Sequence, residues 1–191
     1  MSVKVYAVGA RNFLFLNVPP VERAPATLEY GADDQIIEGA AILEWNGRLI
    51  KVARQLRGKH ADVTVFALDT YSIFNAVLNN PKVFPQTAGY RNTTRYCATY
   101  MNGTPNMTSF SASCGLPVNE YFWLNQLHPT YPMHDAMAAH IVNLLEKVPP
   151  GGFECNCSGS DDGNGHENRN ANEKEGRRLG YGLSKIVKWK L

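Results

Sequence analysis

Two short runs of aromatic and branched residues frame the whole chain: Arg11–Val18, R-N-F-L-F-L-N-V, and Asp62–Asp69, D-V-T-V-F-A-L-D. Both have strand length and residues suited to a pleated surface. The first is a continuous apolar run, which predicts a strand covered on both faces, as in a parallel sheet. Pro19-Pro20 stops it. Between the runs, Ile37, Ala40, Ala41, Leu43, Leu49, Val52, Ala53 and Leu56 recur at near-helical spacing, interrupted by Trp45-Asn46-Gly47. That predicts one or two helices over Ile36–Arg57, ended by Gly58. After the second run, Asp69-Thr70 supplies a cap, and Ile73, Phe74, Val77 and Leu78 supply the apolar face of a helix closed by Asn80-Pro81. Strand, helix, strand, helix is the pattern of an α/β fold with a parallel sheet.

Pro85–Asn119 is long and irregular, and loops of that length are usually functional or disordered. Cys97 and Cys114 flank its most polar part, a stretch with little core of its own that gains from a disulfide across its base. Two unpaired thiols are the alternative. A closing helix starts near Pro132–Asp135, with Met137, Ile141, Leu144, Leu145 and Val148 as its buried stripe, His134 at its cap and His140 on its polar side. Pro149-Pro150 ends it. Residues 1–150 therefore read as one α/β domain. Residues 151–191 are poor in apolar side chains until a basic end, and composition predicts a disordered tail.

A formal net charge of +2 argues against a nucleic-acid partner, which demands concentrated basic charge. No apolar run reaches membrane-spanning length. Cys155 and Cys157, with only His166 nearby, are too sparse for a zinc site; no metal or cofactor is expected. Four glycosylation sequons, at Asn92, Asn102, Asn106 and Asn156, join the cysteine pair in pointing to an extracellular location. No signal peptide opens the chain, which suggests that sequence is missing upstream.

The densest stretch is Tyr121–Asp135, Y-F-W-L-N-Q-L-H-P-T-Y-P-M-H-D. Asn125 and His128 are three residues apart, a spacing that brings both side chains to one side of a turn. Pro129 restricts the backbone of the histidine before it. This holds an imidazole still at the mouth of a pocket. A structural histidine buried in an aromatic cluster is the other reading.

These residues resemble the GDSL, or SGNH, hydrolases. L-H-P-T-Y-P-M-H-D after Tyr121-Phe122-Trp123-Leu124 is similar to the family's last block, closest to the fungal secreted branch with carbohydrate acetyl esterases. Phe13–Pro20 resembles the strand after its third block. Asp69–Phe74 with Asn79-Asn80-Pro81 resembles its next strand-to-helix join. The match runs from about Ala10 to Val148. The resemblance implies a three-layer α/β/α sandwich on a five-stranded parallel sheet, of which two strands are legible here and the N-terminal ones are missing. It implies ester hydrolysis by a serine nucleophile, a histidine base and an orienting acid, with a glycine N–H and an asparagine at the oxyanion. His128 maps onto the histidine. Asn125 stands where the orienting aspartate usually does, with Asp135 or Asp69 as possible substitutes. The chain contains no G-D-S and no G-x-N-D. The resemblance thus implies the C-terminal half of an esterase, inactive alone, for an ester or acetylated carbohydrate. A non-catalytic carbohydrate-binding or interaction remnant is the competing function.

Overall fold

A computed structural model describes residues 2–156. The elements run α1 (Ser2–Ala7), β1 (Asn12–Leu16), α2 (Pro25–Tyr30), α3 (Ala32–Lys59), β2 (Thr64–Leu68), α4 (Thr70–Asn79), α5 (Tyr131–Lys147) and β3 (Phe153–Asn156), with short 3-10 turns between them. The sheet is parallel throughout, in the order β1-β2-β3. Phe13 and Phe15 of β1, Val65 of β2 and Phe153 of β3 pack with Ala53 and Leu56 of α3. Phe66 and Leu68 point the other way, into the larger core with Ile73, Phe74, Val77, Met133 and Leu144 from α4 and α5. Side chains alternate along a strand, so one sheet serves two helical layers. The α/β architecture expected from the strand–helix alternation is the one observed.

Two details differ from expectation, and the open choice between one helix and two is resolved. β1 is an edge strand and only half covered. Leu14 and Leu16 remain 40% and 42% exposed at this edge of the described sheet. α3 is one unbroken helix through Trp45-Asn46-Gly47. Asn46 does not break it because its amide is occupied elsewhere. Its Oδ1 accepts from Val18 N at 2.8 Å and its Nδ2 donates to Val18 O at 2.9 Å, so a buried helix side chain takes the place of a neighbouring strand. The second difference is Phe153–Asn156, which is not disordered: it forms the third strand, paired Val65↔Phe153 through Leu68↔Asn156. Four residues of mixed polarity carry no strand signal by themselves; β2 supplies the ladder. The rest of the tail, residues 157–191, lies outside the described residues.

The C-terminal ends of β1 and β2 are tied by a buried polar knot. Asn17 Nδ2 donates to Asp69 Oδ1 at 2.8 Å, Thr70 Oγ1 donates to Asn17 Oδ1 at 2.8 Å, and Ser72 N donates to Asp69 Oδ1 at 3.1 Å. Asp69 is thus the N-cap of α4, as its position before the apolar face predicts.

α5 is capped by the backbone at Thr130, with no side-chain cap bond. His134 therefore lies inside the helix, exposed, and does not cap it. Leu145 is exposed rather than part of the buried stripe. His140 is not on a polar face. It is half-buried with its ring edge-on to Phe84, centroids 4.7 Å apart, and burial lowers its pKa. The unfolded chain then takes up that proton more readily than the folded one. Stability is full above the ordinary histidine value and declines as pH falls through it. We expect the Tm to fall between about pH 7.5 and 5.5, and His140→Leu to flatten that part of the profile in thermal melts.

Cys97 and Cys114 form a disulfide, with Cα atoms 5.6 Å apart across 17 residues. Beneath it Tyr100, Val118 and Tyr121 make a small separate core, and Tyr100 Oη donates to Leu116 O at 2.9 Å. The bridge closes a loop with no regular element longer than one turn. Replacing both cysteines by alanine should cost about 3 kcal/mol, the loop-entropy figure for this span, read from urea melts.

Candidate active site

Residues 122–130 fold back on themselves. Leu124 N donates to His128 O at 2.8 Å, Thr130 N donates to Phe122 O at 2.8 Å, and Trp123 bridges Pro129 in antiparallel fashion. The base of this hairpin is buried. Phe122 and Trp123 lie in the main core, and Trp123 Nε1 donates to Thr93 O at 2.9 Å. Thr130, where the hairpin becomes α5, donates from Oγ1 to Tyr121 O at 2.6 Å and lies 3.0 Å from Tyr90 Oη. Burial pushes the Tyr90 phenol well above its ordinary value, so it stays neutral. A rigid aromatic base thus carries an exposed tip, Asn125–His128.

The tip is organised by one atom. Asn125 Oδ1 accepts from Leu127 N at 3.0 Å and His128 N at 2.9 Å, and lies 3.0 Å from His128 Nδ1. Two backbone N–H donors can face only the amide oxygen, so the orientation of the Asn125 amide follows from its partners. An oxygen acceptor requires a proton on Nδ1. The neutral imidazole then keeps its lone pair on Nε2, the form a general base needs. The ring is exposed, so His128 is not buried in the aromatic cluster.

The sequence placed these two residues together, and the structure does so through a local turn. It is Asn125 that the ring meets, rather than Asp69, which caps α4, or Asp135, exposed on α5. Among the described residues, no serine hydroxyl hydrogen-bonds His128. Ser72 bonds Asp69, while Ser111 pairs with Ser113. Sequence reasoning missed the neighbourhood of the tip. Gln126 O accepts from Ala26 N at 3.0 Å, which brings α2 against the hairpin from a hundred residues away.

No family model matches the sequence. Curated proteins similar to it include the following three. An acetylesterase of Thermothelomyces thermophilus is 30% identical over 143 residues, covering 73% of this chain and 39% of the relative. A GDSL esterase/lipase of Arabidopsis thaliana is 25% identical over 149 residues, 73% of this chain and 38% of the relative. Another from the same plant is 29% identical over 172 residues, covering 77% and 44%. These relatives are an acetylesterase and GDSL esterases/lipases by name. Over the matched residues the chain is similar to the GDSL, or SGNH, hydrolase family. It spans about two fifths of the length of the curated relatives it matches.

Proposed function

We propose that this chain is the histidine-bearing part of a carboxylic-ester hydrolase, with His128 as general base and Asn125 as its orienting partner. The supporting observation is the three-way use of Asn125 Oδ1, which leaves His128 Nε2 as a free acceptor at an exposed tip. The base takes the proton of a serine hydroxyl as it attacks the ester carbonyl, then returns it to the leaving alcohol. That serine lies in sequence beyond these 191 residues, since the chain carries no G-D-S. Acetyl esters of carbohydrates are the proposed substrates. An extracellular setting is the proposed location, supported by the Cys97–Cys114 disulfide and by sequon residues Asn102 and Asn106 at exposed positions.

A fluorophosphonate probe tests the assignment. The 191-residue chain should remain unlabelled, whereas a longer polypeptide carrying a G-D-S segment ahead of it should be labelled at that serine. Labelling of a serine within this chain would sink the proposal. In the longer polypeptide, Asn125→Asp should raise kcat by about ten- to a hundredfold. The tautomer is already correct, so the carboxylate adds only a charge-assisted bond to the imidazolium. The competing reading, a sugar-binding remnant without chemistry, rests on the absence of a serine bonded to His128 among the described residues. It predicts no labelling in either polypeptide.

A further inference from the structure

One exposed face of α3 is not polar. Ile37, Trp45 and Val52 are 68%, 61% and 44% exposed, and Ala41 between them is exposed too. At 3.6 residues per turn these four fall on one stripe of the helix. Asp34 lies at one end of the stripe and Lys59 at the other, both exposed. Among the described residues neither forms an ion pair. Arg48 is on the same stripe, held by Glu44 at 2.5 Å. The roll of the helix is fixed from its buried side, where Asn46 clasps Val18 and Ala53 and Leu56 enter the core. In a lone chain the stripe therefore stays in water.

The stripe is complementary to itself. Consider a second copy of α3 laid antiparallel across it, with a two-fold axis level with the Asn46–Gly47 peptide. Trp45 then comes opposite Arg48, Ala41 opposite Val52, and Asp34 opposite Lys59, and symmetry makes each contact twice. A guanidinium meets an indole face, a small side chain admits a branched one, and opposite charges meet at both ends. The helix dipoles oppose each other as well. A parallel pairing would set Asp34 on Asp34 and Lys59 on Lys59. An anionic membrane surface would meet Asp34 and Glu44 with like charge. The order of charges along α3 matches a copy of itself at both ends, which an unrelated helix has no cause to do.

We propose that α3 is the two-fold contact of a homodimer, in which the apolar stripes of two copies pack antiparallel and Asp34–Lys59 ion pairs close both ends. The contact is one helix against one, smaller than a standard interface, so the dimer has a Kd of about 10 μM. The pairing uses no residue of the Asn125–His128 hairpin and stands apart from the ester chemistry.

Sedimentation equilibrium of the full 191-residue chain, from about 1 to 300 μM, is the test. A monomer–dimer equilibrium is expected. Trp45→Glu should weaken it by about a hundredfold, because two indoles leave the centre of the contact. Asp34→Lys and Lys59→Asp should each weaken it by about tenfold, through two pairs of like charges. The double variant Asp34→Lys/Lys59→Asp should return to within about threefold of wild type, a rescue that non-specific apolar association does not give. All three side chains are exposed, and an unchanged far-UV circular dichroism spectrum establishes that each variant is folded. The homodimer is overturned if the chain stays monomeric over the whole range, or if assembly runs past the dimer. It is also overturned if Trp45→Glu pairs as wild type does, or if the double variant is no tighter than the single ones. A longer polypeptide carrying the G-D-S segment that sediments as a monomer would mean that its own chain covers the stripe, and would overturn the homodimer too.

Discussion

His128→Ala should lower kcat for ester hydrolysis by about 10^4- to 10^6-fold in a polypeptide that supplies the serine, while leaving the Tm nearly unchanged. The size follows from the role. Without a base the serine hydroxyl keeps its proton, and only binding and oxyanion stabilisation remain. The unchanged stability follows from position. The ring is exposed and, among the described residues, bonds Asn125 Oδ1 alone, which keeps its two backbone donors after the ring is gone. Steady-state kinetics on an acetyl ester, with a melt of the same sample, separates the two effects. A variant retaining a tenth of wild-type kcat would remove His128 from the chemistry.

Phe122→Ala should have the largest effect on the fold, about 3–5 kcal/mol. Phe122 is completely buried and central to an aromatic group. Its ring lies 4.7 Å from Trp123, 5.3 Å from Tyr90 and 5.8 Å from Phe74, the first and last contacts edge-on. Removing it leaves a void bounded by rings that cannot all close in. A loss of that size is a large part of the stability of an ordinary domain. Urea melts should give a much lower midpoint, and near-UV circular dichroism should weaken. Because Phe122 N donates to Asn92 O at 2.7 Å and Phe122 O accepts from Thr130 N, the damage should reach the hairpin that presents His128. Phe122→Leu, which keeps most of the volume, should lose distinctly less. Equal losses from both variants would mean that the aromatic group is not what holds the hairpin.

What the sequence made legible was local. β2 and α4 were readable because a short apolar run, a capping aspartate and a helical stripe follow one another without interruption. Asn125 and His128 were readable because their contact needs only a turn. The Cys97–Cys114 pair was readable because the loop between them has nothing else to hold it. The parts that escaped depend on distant partners. Phe153–Asn156 becomes a strand only because β2 has a free side. His140 looked polar by type, and Phe84, fifty-six residues earlier, decides otherwise. The contact of α2 with the hairpin escaped for the same reason, since Ala26 and Gln126 are a hundred residues apart.

The amide of Asn46 bears on how α3 is oriented. That helix shows water several large apolar side chains, among them Ile36, Ile37 and Trp45, so greasiness alone does not tell it which way to face. A polar clasp on the backbone of Val18 does, acting as an index mark that sets the roll of the helix about its own axis. The rotational setting of this twenty-eight-residue helix thus rests on one carboxamide together with the buried contacts of Ala53 and Leu56. A helix so indexed can change most of its outer surface over evolutionary time without turning on the sheet.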